Sequence, residues 1–424
     1  MFTAVGEHPI PTRVWIIKVI TVAMKIFEPD KKQAIQDFEY LDKESIYLDS
    51  ACQTLRPQQV INAVTDYYHN YNSCGGRVKY DWGLKVDDLV AETRNNILSI
   101  LRKPSSEYVV AFTLNTSYGI NLILGQLPPK YKKIVTSEIE HNSVFLPVIE
   151  ASKRLNIPRI VLERSANGSL QYDLDDLTEA VVVLNDMSNI DGRTLSNLKT
   201  LSHDTHKKGG IILIDAAQGI SHDLGLLSSC DYDALFFSGH KFYGPSLGVI
   251  VIKRSLLVAL SSYFIGGGTV EDVEKDVYKL ISSDENIQDR LEIGLQDFAG
   301  IIGLNESIKW QSKYKPEGKD KKSYQTNLSE ILFKGLSEIE SLSLLNTNPS
   351  PIISFYSEKV DAHRLAIFLS SQKIMVRSGY FCCHYYLKNL KEYPPLVRVS
   401  LGLHNTEEQI KRFLQTLKAI LVNI

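Results

Sequence analysis

Cysteine is scarce in this 424-residue chain: five in all, Cys52, Cys74, Cys230, Cys382 and Cys383. They form no repeated short spacing of the kind that holds a metal, so no metal is expected, and they are too few to staple a disulfide scaffold. Their odd number favours free thiols in a reducing compartment, which points to the cytoplasm. An excess of charge is also lacking, with 47 Lys and Arg against 49 Asp and Glu. No global positive field therefore argues for a nucleic-acid partner. Long hydrophobic runs are missing too. The nearest candidate, "VWIIKVITVAMKIF", is interrupted by Lys18 and Lys25 and has no clean small-residue cleavage site. It is too short for a membrane span and reads as part of an N-terminal extension over residues 1–30, with no membrane partner expected. No internal repeat or low-complexity tract appears. A hydrophobic share of 44% suits one or two well-packed domains.

What is present is a succession of short apolar runs: "YVVAF", "KIVTS", "RIVLE", "AVVVLND", "GIILIDAA", "ALFFSG" and "GVIVIKR". Their length and β-branched content predict buried strands. Segments such as "SYGINLILGQL" and "HNSVFLPVIEASKRL" lie between them and suit crossover helices. A helix is also expected over 85–102. Residues 61–300 thus read as a large α/β domain with a mainly parallel seven-stranded sheet. From about residue 301 the pattern changes. "NLSEILFKGLSEIESL" and "EEQIKRFLQTLKAILVNI" have helical periodicity, while "PIISFYS", "KIMVRSG" and "LVRVSL" read as strands of a second sheet. A smaller α+β domain is expected over 301–424, with residues 31–60 packing against it.

Ligands of open α/β sheets gather at the carboxyl ends of strands, and polar clusters stand at three such ends here. They are Asn189 in "VVVLNDMSNIDG", Asp215 in "IILIDAAQG", and Ser238, His240 and Lys241 in "ALFFSGHKFYG". A buried Asp215 needs a cationic partner. In "FTLNTSYGINLI", Asn115 or Thr116 can cap a helix whose first N–H groups would favour a phosphate, although ordinary capping explains those residues equally well. One chemistry joins the pieces. Pyridoxal phosphate requires a Schiff-base lysine, a carboxylate beside the pyridine nitrogen, phosphate donors and a platform for the ring. Lys241 and Asp215 supply the first two; Ser238, His240 and Thr116 suit the phosphate, and His141 in "EIEHNSVFLP" suits the ring.

The ordered set "YLDSA", "TSYGIN", "EHNS", "SNIDG", "DAAQ", "SGHKFYGP", "GGGT", "RLEIG", "RSGYFC" and "HNTEEQ" resembles the class V aminotransferase superfamily of fold-type I pyridoxal-phosphate enzymes. Within it, the chain is most similar to group II cysteine desulfurases and selenocysteine lyases. The resemblance implies the fold-type I architecture, Lys241 as the Schiff-base lysine, Asp215 on the pyridine nitrogen and His141 stacked on the ring. Asn189 and Gln218 are implied near the ring or its phenolic oxygen, and Thr116, Ser117, Ser238 and His240 near the phosphate. Thr269 of "GGGTV" is implied as a contribution from the partner of a homodimer with shared sites. Cys382, five positions after Arg377, is implied as the sulfur acceptor, forming a persulfide as L-cysteine becomes L-alanine. Arg398 is implied as the clamp on the substrate α-carboxylate, assisted by Arg377, and a sulfur-acceptor protein is the expected downstream partner.

The chain also departs from the group II pattern. Asp186 stands where the family usually has histidine, Asn115, Thr116 and Ser117 replace a glycine and two threonines, and Tyr118 lies near a usual glutamate. The cysteine loop reads "YFCCHYY". "CGGRVKYDWG" is altered as well: Arg77 is expected to face the substrate or the subunit interface, with Tyr80 and Trp82 adapting the pocket to an amino acid bulkier than cysteine. These departures keep open a C–S lyase, an epimerase or an aminotransferase acting on an amino acid without obligatory use of Cys382. A non-catalytic protein on the same fold is a third reading.

Overall fold

The computed structural model describes residues 36–424 apart from Arg77 and Glu285. The expected extension over residues 1–30 therefore lies outside the described residues. All seven apolar runs form strands of one sheet: β1 (Tyr108–Thr113), β2 (Lys133–Ser137), β3 (Arg159–Leu162), β4 (Ala180–Asn185), β5 (Ile211–Asp215), β6 (Ala234–Ser238) and β7 (Gly248–Lys253). Their spatial order is β1-β7-β6-β5-β4-β2-β3. The pairs β6–β5, β5–β4, β4–β2 and β2–β3 are parallel, and β7 runs antiparallel to both of its neighbours.

The near-continuous apolar composition follows from burial on both faces. Val182, Leu184, Ile212, Ile214, Leu235 and Phe237 enter one core, whereas Val181, Val183, Leu213, Ala234 and Phe236 enter the other. Strand alternation thus serves two cores at once, and a register slip would exchange their side chains. Helices cover the faces: α1 (Gln58–Asn70), α2 (Asp81–Ile100), α3 (Thr116–Gly125), α4 (Asn142–Leu155), α5 (Leu198–Lys207) and α6 (Phe298–Lys313). Helix α2 begins four residues earlier than the expected residue 85. Helix α6 packs against α1 and α2, and its Ile301, Leu304 and Ile308 join the core beneath the large sheet.

The second sheet contains β8 (Leu342–Leu344), β9 (Ile352–Ser357), β10 (Arg377–Gly379) and β11 (Leu396–Ser400), in the order β8-β9-β11-β10. All three pairings are antiparallel. Its core includes residues from α7 (Lys321–Ser337), α8 (Ala362–Ser371) and α9 (Glu407–Val422). The segment "KIMVRSG", expected as one strand, is divided between two pairings. Ile374–Met375 pairs in parallel with Ile46–Tyr47, while Arg377–Gly379 joins β11. That division brings residues 46–52 beside Arg377 and Arg398. Among the described residues, no helix is long and apolar enough to cross a membrane.

Candidate active site

The carboxyl ends of β4, β5 and β6 meet because these strands are parallel neighbours, with Asn185 opposite Asp215 and Asp215 opposite Phe236. A cavity of about 350 Å³ opens there, between the two sheets. Of the residues implied from sequence, it is lined by Thr116, Ser117, His141, Asn189, Asp215, Gln218, Ser238, His240, Lys241, Arg377, Cys382 and Arg398. The fold brings these groups together from positions spread over most of the described chain.

Lys241 ends a short 3₁₀ turn, Gly239–Lys241, directly after β6. Burial pushes its ammonium down from the usual lysine range; Asp215 opposes that shift, and Arg398 adds to it. Asp215 is the last residue of β5 and is 4% exposed. Burial raises its carboxyl, Lys241 lowers it, and its Oδ1 accepts a 3.0 Å hydrogen bond from Ala217 N–H. The pair is therefore mutually stabilising in a poorly solvated site. His141 caps α4, its Nδ1 accepting from Ser143 N–H at 3.1 Å. Burial, then Lys241 and Arg398, push its pKa down to about 3. It is consequently a neutral ring near neutral pH, with Nδ1 engaged as an acceptor.

The hydroxyl-rich side of the cavity is built on the start of α3. Asn115 is the cap, accepting from Tyr118 N–H at 2.9 Å, so the ordinary capping role expected for this segment is realised. Thr116 donates its N–H to Ser238 Oγ at 2.9 Å, and the two hydroxyls lie 2.7 Å apart. Ser117 Oγ is 2.5 Å from Ser143 Oγ, linking the starts of α3 and α4. His240 has a buried Nδ1 with no hydrogen-bond partner, and burial takes its pKa down to about 4. Gln218 donates to Ala51 O at 2.8 Å, and Asn189 to Phe381 O at 2.9 Å. Thr269 is buried away from this cavity and donates to Gly266 O.

On the other side, Asp49 ties two arginines together. Arg377 Nε donates to Asp49 Oδ2 at 3.0 Å, and Arg398 Nη2 donates to Oδ1 at 3.2 Å. Arg398 is 3% exposed; its Nη1 donates to Asn189 O at 3.0 Å, while its buried Nε has no partner. Arg398 also lines the cavity, so its guanidinium sets a fixed positive charge on the wall where an anionic ligand would be favoured. Arg377 Nη2 also donates to Cys52 Sγ at 2.8 Å.

Cys382 is exposed and lies at the rim. It and Phe381 have φ values of 56° and 48°, in the left-handed region. Non-glycine residues there carry strain of about 1–3 kcal/mol each. The turn is held by Asn142 N–H donating to Cys382 O at 2.7 Å and by the Asn189 bond to Phe381 O. Cys383 faces the interior instead, with Sγ donating to Ile139 O and Glu140 O. Burial raises its thiol well above the ordinary range, which separates it chemically from Cys382.

Asp49, Cys52, Asn185 and Ser143 were not singled out as site residues from sequence, whereas Asn115 was named there as a helix cap. Each of the former stood within or beside a quoted stretch: Asp49 and Cys52 at "YLDSA", Ser143 in "EHNS" and Asn185 in "VVVLNDMSNIDG". Asp186, noted as a departure, lies buried beside this site with neither oxygen partnered. Burial and then Asp215 push its carboxyl up to about 8, so a proton is retained near neutral pH. A Cβ on Gly219 would sit 1.5 Å from Asp186 Oδ2, so only glycine allows the following turn to pack there. Arg77 lies outside the described residues. Tyr80 and Trp82 are about half exposed and do not line the cavity, so within one chain they do not shape it for a bulkier substrate.

The family profile described as Aminotransferase class-V matches residues 46–413. A curated relative from Haemophilus influenzae, named a probable cysteine desulfurase, is 31% identical over 91% of this chain and 88% of its own length. A second of the same name from Methanothermobacter thermautotrophicus is 31% identical over 89% of this chain and 95% of its own. Among solved structures, a cysteine desulfurase from Thermococcus onnurineus superposes with a TM-score of 0.82 at 27% identity, covering 93% of this chain and all of that one. With the family profile matching residues 46–413 and a relative 31% identical over 91% of it, the chain belongs to the class-V aminotransferase family.

Proposed function

We propose that this protein is a pyridoxal-phosphate-dependent cysteine desulfurase, converting L-cysteine to L-alanine and retaining the sulfur on Cys382 as a persulfide. The observation that carries the reading is an exposed thiol on a strained, pinned turn in the same cavity as the Lys241–Asp215 pair and two arginines. The names of the relatives support it.

The donor set fits the cofactor. Lys241 offers an amine of lowered proton affinity, Asp215 a carboxylate for the pyridine nitrogen, and neutral His141 a flat face for the ring. Thr116, Ser117, Ser238 and His240, which line the cavity together, and the N-terminal amides of α3 suit the phosphate. Asn189 and Gln218 flank the ring in this reading. When bound, pyridoxal phosphate supplies an electron sink for charge released at the substrate α-carbon.

The chain's own groups do the rest. Arg398 and Arg377, both on the cavity wall, hold the substrate carboxylate. Lys241 Nζ takes up and returns protons at the reacting carbons, a role suited to an amine whose charged form burial disfavours. Cys382, as thiolate, attacks the substrate sulfur: an S–S bond forms, the C–S bond breaks, and its electron pair stays on the carbon fragment. That fragment takes up a proton and leaves as alanine. In our reading the assembly is a cytoplasmic homodimer, with Thr269 completing the partner's site and Arg77 facing substrate or interface. A sulfur-acceptor protein removes the persulfide.

Cofactor-loaded protein incubated with cysteine and a panel of amino acids should form alanine and add one sulfur to Cys382 by mass spectrometry. Cys382→Ala should abolish both while keeping the cofactor absorbance. Pyruvate, an inverted amino acid, or undiminished turnover in that variant would instead establish the lyase, epimerase or aminotransferase reading.

A further inference from the structure

The cavity contains a second thiol that the desulfurase mechanism does not use. We propose that Cys52 is a second sulfur-carrying residue of this site, taking the outer sulfur of the Cys382 persulfide and freeing Cys382 for another turnover. The proposal rests on the desulfurase reading of Cys382.

Cys52 and Cys382 both line the cavity that holds Lys241, whereas Cys74, Cys230 and Cys383 do not. Cys52 is fixed rather than incidental. Its N–H donates to Asp49 O at 3.0 Å, closing a turn, and its sulfur accepts from Arg377 Nη2 at 2.8 Å. That guanidinium is in turn held by Asp49, so the sulfur lies against an anchored cation. The same carboxylate binds Arg398, which packs over the Phe381 ring at 4.8 Å, one residue before Cys382. One aspartate thus links an arginine at the first thiol to an arginine beside the turn carrying the second. Arg377 and Arg398 line the cavity together with both thiols, so this corner carries the positive charge that an anionic persulfide needs. Cys52 is also more shielded than Cys382. A persulfide moved there would be less open to water and stray thiols.

The transfer needs no external redox partner. The Cys52 thiolate attacks the outer sulfur of the Cys382 persulfide; a new S–S bond forms at Cys52, the bond to Cys382 breaks, and Cys382 leaves as thiolate and takes up the proton that Cys52 released. The oxidation level of the sulfur pair is unchanged.

The test uses the holoenzyme with L-cysteine and no reductant, quenched at intervals with an alkylating reagent, mapping Cys52 and Cys382 by peptide mass spectrometry and measuring alanine. Sulfur should appear on Cys382 first and on Cys52 later. The alanine burst should fall about twofold in Cys52→Ala, since each site then has one sulfur-carrying thiol instead of two. Cys382→Ser should leave both positions unloaded. A loaded Cys382 with a bare Cys52 in the unaltered protein, and an equal burst in Cys52→Ala, would overturn the relay alone. Loading of Cys52 in Cys382→Ser would overturn the order of transfer, and a Cys52–Cys382 disulfide with released sulfide would overturn the transfer itself. If Cys382 never loads, the desulfurase reading fails and the relay falls with it. Mapping of the unaltered chain keeps the result decisive even if the Cys52 variant folds poorly.

Discussion

Arg398→Lys probes the carboxylate clamp without removing its charge. The guanidinium directs Nη1 at Asn189 O and Nη2 at Asp49 while the group lines the cavity. A lysine ammonium has no fork that can hold those two directions and a carboxylate at once. A hydrogen bond to a charged group contributes about 1.5–3 kcal/mol, and about 1.4 kcal/mol is tenfold in binding. Loss of one such bond to the carboxylate should therefore raise KM for cysteine about 10- to 150-fold. The fall in kcat should be smaller, because Lys241 and Cys382 stay in place. Steady-state alanine formation gives both constants, and the cofactor spectrum with a urea midpoint separates a clamp defect from a loss of cofactor or fold. A KM within about threefold of the unaltered protein, with full cofactor loading, would refute the assignment of Arg398 to the carboxylate.

Asp186→Asn tests the unpartnered carboxyl. Its folded-state pKa is raised to about 8, so between the unfolded value near 3.8 and that point only the folded chain keeps its proton. Stability from this group is complete below the lower pKa and is lost as pH rises to the upper one. The variant's stability relative to the unaltered chain should thus improve by about 2 kcal/mol or more between pH 5 and 8, read from urea unfolding; a difference independent of pH would contradict it. Cys383→Ala should cost about 1 kcal/mol of stability while sulfur still loads on Cys382; loss of that loading, with the fold intact, would give Cys383 a chemical role. Asn115→Ala removes the cap of α3 and should cost about 1 kcal/mol, with faster release of cofactor on dilution. Unchanged retention would mean that the start of α3 does not hold the phosphate.

The seven strands were legible because each apolar run is buried on both faces, a demand that leaves little ambiguity in sequence. Lys241, Asp215 and Asn189 were legible for a related reason: polar residues closing such runs must emerge at one sheet edge. The segment "KIMVRSG" was not, because its middle changes partners from Ile46–Tyr47 to β11, and local pattern carries no record of which strand lies alongside. Nor does the doublet "CC" say which sulfur turns inward. The left-handed turn at Phe381 and Cys382 decides that, placing Cys383 against backbone carbonyls and Cys382 at the rim.

By itself, then, the sequence determined the layered α/β architecture and the residue types able to hold a phosphate-bearing cofactor, since both follow from burial and from chemistry local to each strand end. The tertiary structure alone decided the pairing of two arginines on one aspartate and the thiol beside them. Asp49 meets Arg377 and Arg398 across more than three hundred residues of chain. Neither arginine's neighbours in sequence could reveal that its charge would be met, its N–H groups divided, and Cys52 brought against it by two sheets closing on one cavity.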